Sequence, residues 1–250
     1  MARFPITLDK FPYYDIHADT SEGGTRVYHT PAGDAPSVTT ILSSLPNPEL
    51  DAWRERVGLE EAERISKEAT TIGSYMHDML EAHLRGQEFK RDGSDLETTA
   101  VQMHNAIKMF GWRKLNAVWG VEVPLHFNDL YAGRTDMIGV YSQAPSILDY
   151  KTSKYHKPPQ HITKYKLQTA AYALALQHMF GQRIDQSVLF FAIRPYPERK
   201  QAAQSSVIVI SPPELREYKI KWIEVLVDYY AERDQSKLSQ IDSLIDLIDD

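Results

Sequence analysis

From residue 119 onward the chain breaks into three short β-rich runs, GVEVPLHF (120–127), YAGRTDMIGVY (131–141) and SILDYK (146–151), separated by turn residues. Runs of this length and composition read as a three-stranded meander. Helical patterns precede it. A further helix, KYKLQTAAYALALQHMF, stops at Gly181 and is followed by strand-like segments at 184–196 and 204–211 and by a helix opening at Pro212. The order helices, strands, helix, strand, strand, helix predicts an α/β fold with a central mixed β-sheet flanked by helices. At 250 residues the chain is long enough to bury a full core as one domain. Its expected parts are a mainly helical N-terminal region (1–118), a sheet core with its helix (119–211), and a C-terminal helix with an acidic tail (212–250).

Local signals set the expected boundaries. The first 35 residues, rich in Pro, Gly, Tyr and Asp, read as irregular with short strands around Arg26 to His29. Ser37 is an N-cap for SVTTILSSL, and Asn47-Pro48 opens a helix through about Val57. A long helix spans Leu59 to Leu84 with Gly86 as its stop, and another runs from Leu96 to Val118. The tail SQIDSLIDLIDD reads as a solvated end in preference to a packed helix.

Composition narrows the chemistry. There are no cysteines, so disulfides, zinc–thiolate sites and iron–sulfur clusters are excluded, and any metal must sit on oxygen or imidazole ligands. That favours Mg2+ or Mn2+. The longest apolar runs, such as SVLFFAI (187–193), are too short to span a bilayer, and the N-terminus lacks a signal-peptide pattern. The expectation is a cytoplasmic protein with no membrane partner. The net charge of −6 argues against a nucleic-acid partner on average. Yet no Asp or Glu occurs from Tyr150 to Ile184, a window that holds Lys151, Lys154, Lys157, Lys164, Lys166 and Arg183.

The two runs around Asp136 and Asp149 are apolar apart from three charges. A hairpin turning at Tyr141 to Pro145 would set 136 opposite 151 and 138 opposite 149, with Asp136, Asp149 and Lys151 on one face. Two carboxylates that close repel unless a cation lies between them, and magnesium with a few carboxylates and several waters fits. Lys151 could draw a proton from an attacking water, its pKa lowered by desolvation and a neighbouring cation, or neutralise charge developing on a phosphate. An Asp-x-Lys strand taken alone is commonly a solvated edge.

Three further features accompany it. Gly73 lies one turn before His77 in a helical pattern, so the backbone can approach another element while His77 projects beside it. Gln168 and Tyr172 sit one turn apart on an alanine-rich helix. Glu122 lies between Val121 and Val123 on a strand, where an unpaired buried carboxylate is costly. Singly these also read as a surface histidine, an amphipathic helix and a half-exposed strand.

In order, G-x-x-x-H (73–77), Glu122, G-R-T-D (133–136), D-Y-K-T-S (149–153) and Q-x-x-x-Y (168–172) resemble the PD-(D/E)XK nuclease superfamily, and within it the RecB-type exonuclease branch that includes phage enzymes and the mitochondrial genome maintenance exonuclease. The likeness covers about residues 37 to 195, with SVTTIL (37–42) similar to the family's N-terminal segment. Thr135-Asp136 stands where the superfamily has Pro-Asp. The resemblance implies a restriction-endonuclease-like core with an N-terminal helical region. It implies Asp136, Asp149, the Tyr150 carbonyl and His77 as metal ligands, and Lys151 as the catalytic lysine. Gln168 and Tyr172 would position that lysine and the nucleic-acid backbone, and Glu122 would be an auxiliary acid.

The function expected is metal-dependent hydrolysis of a DNA phosphodiester. Lys154, Lys157, Lys164 and Lys166 would hold neighbouring phosphates, interleaved with Tyr155, Tyr165 and Tyr172, a pattern that favours single-stranded DNA. Replication or recombination proteins are the partners such an activity would work beside. Three alternatives remain open: a structure-specific endonuclease using the same site, a non-catalytic DNA-binding recombination accessory protein, and a hydrolase of small phosphates.

Overall fold

In the computed structural model, residues 4–21 and 25–249 are described. Three short strands, β1 (Ala18–Thr20), β2 (Arg26–Thr30) and β3 (Gly33–Pro36), form an antiparallel sheet in the order β1-β2-β3. Helices α1 (Val38–Ser44), α2 (Pro48–Val57), α3 (Leu59–Arg85) and α4 (Asp95–Phe110) follow. Next come β4 (Leu115–Phe127), β5 (Tyr131–Tyr141), β6 (Ala144–Ser153), α5 (Thr163–Phe180), β7 (Gln186–Ile193), β8 (Gln204–Ile210), α6 (Pro212–Ala231) and α7 (Leu238–Asp249).

The main sheet has the order β4-β5-β6-β7-β8. Only β6 and β7 run parallel, joined by the α5 crossover that parallel neighbours require. All other neighbouring pairs are antiparallel. The sheet is therefore mixed, as expected. One face packs against α1, α5, α6 and α7 through Leu125, Ile138, Ile147, Phe191 and Trp222. The other packs against α3 and α4 through Met76, Ile107, Met137, Leu148 and Phe190. Every residue of β7 is buried, because helices cover both its faces.

Local chemistry sets most of the helix ends. Ser37 Oγ accepts from Thr40 N at the start of α1. The Asn47 side chain accepts from Leu50 N, with Pro48 as the first residue of α2. Gly86 and Gly181 close α3 and α5 in the left-handed region.

Four expectations need correction. The fourth helix ends at Phe110, not Val118. Gly111 lets the chain pass close to the Phe190 and Ser205 side chains, and after a single 3-10 turn Leu115 and Val118 already belong to β4. The first 35 residues contain a complete small sheet, whose strands are too short to show a period. The tail is a packed helix, with Ile241, Leu244 and Ile248 buried against the core on one helical face. The hairpin register is tighter by two residues: Tyr141 pairs with Ala144 and Met137 with Leu148. Ser142 and Gln143, both at positive φ (50° and 70°), make a two-residue turn of the I′ type. A shift of two preserves parity, so the faces expected for Asp149 and Lys151 are unchanged.

Candidate active site

The β5–β6 ladder ends at Met137↔Leu148. One step further, the Asp136 carboxylate takes over: its Oδ2 accepts the Tyr150 backbone N–H at 2.6 Å. Its Oδ1 lies 3.5 Å from His77 Nδ1, delivered by α3. On the other side, the pairs Val121↔Met137 and Val123↔Thr135 bracket Glu122 opposite Asp136. Glu122 has φ 51°, an uncommon conformation for a non-glycine residue. The turned backbone is held by Arg134, which donates from Nη1 to the Glu122 carbonyl at 2.7 Å and pairs through Nη2 with Asp15 at 2.8 Å. One ligand atom each of His77, Glu122 and Asp136 lie within 4.8 Å of one another.

Asp149, 1% exposed, is next to this group. Lys151 Nζ stands 2.6 Å from its Oδ2 and 5.1 Å from the centre of the Tyr165 ring. The Lys151 ammonium is thus the partner of this buried carboxylate oxygen. The tightest cluster thus contains Glu122 where the sequence put Asp149. Asp149 remains coupled to the cluster through the charge of Asp136.

The charges are strongly interdependent. Burial and the Asp136 carboxylate push Glu122 up to about 8. Burial, partly offset by Lys151 and reinforced by Asp136, raises Asp149 to about 6. Burial opposes a charge on His77, yet the Asp136 carboxylate prevails and raises it to about 9. Asp136 itself is held below the ordinary carboxylate range, since His77, Lys151 and the Tyr150 N–H outweigh its burial. Burial alone would lower the pKa of Lys151, but Asp149 and Asp136 raise it, so in the metal-free chain Lys151 is a charged ammonium.

The remaining residues divide. Gln168 Nε2 donates to Tyr172 Oη at 3.4 Å, and the buried Tyr172 ring packs where a Cβ on Gly133 would come within 2.8 Å of it. Gly73 faces Thr152 Oγ1 at ordinary van der Waals distance, so the approach of α3 to β6 does not by itself demand glycine. Lys154, Lys157 and Tyr155 are exposed, with Lys154 Nζ 5.6 Å from the Tyr155 ring centre. Lys164 donates to the Leu45 carbonyl at 2.9 Å and, with Asn47, Arg54, Gln168 and the Tyr165 that Lys151 approaches, lines a cleft of about 590 Å³. Lys166 is not available to phosphate: only 8% exposed, it is paired at 2.7 Å with Glu214 on α6. Arg134 and Arg54 received no role from sequence. Arg134 could have been noticed as a cation two residues from Asp136 in an otherwise apolar strand, whereas Arg54 looks like any helix-surface arginine.

Among known proteins, the mitochondrial genome maintenance exonuclease 1 of Xenopus tropicalis is 31% identical to this chain over 164 residues, 60% of the chain. The aligned part is 45% of that protein's length, so the chain spans about half of its curated relative. A crystal structure of a candidate exonuclease from Eubacterium rectale matches with a TM-score of 0.45 and 14% identity, covering 67% of this chain and 69% of the other. The model of the PD-(D/E)XK nuclease superfamily matches residues 110–241, a stretch that carries Glu122, Asp136, Asp149, Lys151, Gln168 and Tyr172. With that match extending over more than half of its length, the chain belongs to the PD-(D/E)XK nuclease superfamily.

Proposed function

We propose that the chain is a divalent-metal-dependent DNA exonuclease that hydrolyses phosphodiester bonds at the free ends of single-stranded DNA. The observation that carries this reading is the position of Asp136, between the imidazole of His77, the carboxyl of Glu122 and the Asp149–Lys151 pair. The donor set fits a hard cation: carboxylates and one imidazole, with one ligand atom each of His77, Glu122 and Asp136 within 4.8 Å of one another and the Asp149 carboxylate beside them. Asp136 and Asp149 would hold Mg2+ or Mn2+, joined by His77 and the Tyr150 carbonyl, with Glu122 as auxiliary acid. When bound, such an ion supplies Lewis acidity toward a phosphate oxygen and toward the attacking water.

The chain's own groups do the rest. Lys151 stays charged beside Asp149 and offers its ammonium to the negative charge that develops on the phosphate. Gln168 and Tyr172 fix one wall through their mutual hydrogen bond. Lys154 and Lys157 are free to hold flanking phosphates, and Tyr155, 62% exposed, offers a face for an unpaired base. The Arg54–Lys164 cleft gives the strand a path toward Lys151. An attacking water forms the new P–O bond as the bond to the 3′ oxygen breaks in line; the water's proton passes to solvent, the departing 3′ oxygen takes one up, and negative charge is spread over the phosphate oxygens throughout.

End-labelled single- and double-stranded DNA, incubated with magnesium, manganese or chelator, tests this with the parent chain and Asp149→Asn. Stepwise shortening of labelled single strands, dependent on the added ion and lost in Asp149→Asn, is the expected result. Cuts in a circular substrate would make it an endonuclease. Retention of DNA without cleavage would make it a binding protein, and an undiminished Asp149→Asn would overturn the site.

A further inference from the structure

The N-terminal sheet carries a second group of metal-ligating side chains, away from the nuclease site and with a different character. His17, just before β1, faces His29 on β2, the His29 N–H donating to the His17 carbonyl at 2.9 Å. Their rings stack 5.6 Å apart at 15°. Asp19 lies two residues after His17, on the same face. Its two oxygens meet two different imidazoles: Oδ1 is 3.0 Å from His17 Nε2 and Oδ2 is 2.9 Å from His29 Nε2. On the far side, Asp34 is the register partner of His29, and its Oδ1 lies 2.7 Å from His29 Nδ1.

We propose that His17, Asp19 and His29 form a metal site for a borderline divalent cation of the zinc class, with Asp34 orienting the His29 ring. One ligand atom from each of the three lies within 4.8 Å of the others. A tetrahedral zinc ion with bonds near 2.0–2.1 Å brings its ligand atoms about 3.4 Å apart. These exposed side chains can close that gap without moving the sheet. Two imidazoles and one carboxylate suit zinc, cobalt or nickel better than magnesium, in contrast to the carboxylate-rich group around Asp136. In the metal-free chain both nitrogens of His29 donate, Nδ1 to Asp34 and Nε2 to Asp19; an incoming cation would displace the Nε2 proton while Asp34 keeps the Nδ1 proton and orients the ring, the arrangement that metal-bound histidines generally show.

The site has a mechanical consequence. It ties β1 to β2 immediately after Asp15, the residue that anchors Arg134, which in turn holds the Glu122 carbonyl. A cation there would brace the segment just after Asp15, where that chain of contacts begins.

The test uses the full chain carrying Asp136→Asn and Glu122→Gln, which blocks the nuclease cluster and makes the outcome independent of nuclease activity. After stripping with chelator, it is titrated with zinc chloride by calorimetry, and the zinc ligands are read by X-ray absorption. One equivalent bound through two imidazoles is expected, weakened at least tenfold by His17→Gln or His29→Gln and about 10- to 100-fold by Asp34→Asn. Far-UV circular dichroism checks that each variant is folded. Should His29→Gln fail to fold, His17→Gln, exposed and outside any strand, decides alone. No zinc uptake, or uptake that a folded His17→Gln chain retains in full, overturns the proposal.

Discussion

Asp136 Oδ2 accepts the Tyr150 backbone N–H at 2.6 Å, so a side-chain carboxylate stands where a strand carbonyl would continue the β5–β6 ladder. The same group is thus a structural acceptor and the centre of the charge cluster. Asp136→Asn separates these tasks, since the amide oxygen can still accept the N–H while the negative charge is gone. It should fold as the parent does, with cleavage of end-labelled DNA reduced at least about 100-fold, the loss that several kcal/mol of missing charge stabilisation produces.

The metal-free chain should lose stability as pH rises. Glu122 titrates near 8 in the fold against 4.5 for an unperturbed carboxyl, so between those values the folded state binds more protons and its advantage falls with pH. His77 acts in the same direction: its contribution is complete below about 6.5 and is lost as pH passes through about 9. Thermal melts from pH 5 to 9 in chelator should therefore decline, and Glu122→Gln should flatten the part between 5 and 8. Because a divalent cation displaces these protons, the rise in Tm on adding manganese should grow over the same interval.

Lys151, half-buried, and Lys166, buried, both stand beside carboxylates but should behave differently. Lys151→Ala leaves Asp149 buried without its cation and removes the ammonium from the reaction, so cleavage should fall on the order of 100-fold or more. Lys166→Ala breaks the pair with Glu214, far from phosphate, and should lower the melting temperature while leaving the salt dependence of DNA binding unchanged. Lys154→Ala and Lys157→Ala should each reduce the slope of log K against log salt by about one.

Gly133→Ala tests the wall formed by Tyr172. The added methyl would sit 2.8 Å from that ring, and overpacking of this kind costs about 1–3 kcal/mol. The variant should melt lower and cleave more slowly. Gly73→Ala, which meets only Thr152 Oγ1 at 3.6 Å, should be tolerated.

Much of the architecture could be read from local chemistry. The Ser37 and Asn47 caps, the Gly86 and Gly181 stops and the three-stranded run all depend on residues close in sequence, and each stands where the sequence put it. The hairpin register was harder. Ser142-Gln143 adopts a turn usually marked by Asn-Gly, so nothing announced its two-residue length. Long-range partners were out of reach. The Lys166–Glu214 pair joins residues 48 apart in sequence, and the burial of Ile241, Leu244 and Ile248 depends on helices that only the folded chain brings together. Glu122 was recognised as an unusual strand carboxylate. Its left-handed backbone is a local departure between two in-register pairs, and its place opposite Asp136 is set by the β4–β5 register, neither of which alternation can reveal.

The central claim is that Asp136 and its neighbours hold the divalent ion. Anomalous diffraction from crystals grown with manganese tests it directly. A peak is expected within about 2.5 Å of an Asp136 oxygen, with an Asp149 oxygen or the His77 ring also in the coordination shell. A peak elsewhere, with the Asp136 carboxylate bound only to His77 and Tyr150 as in the metal-free chain, would contradict it.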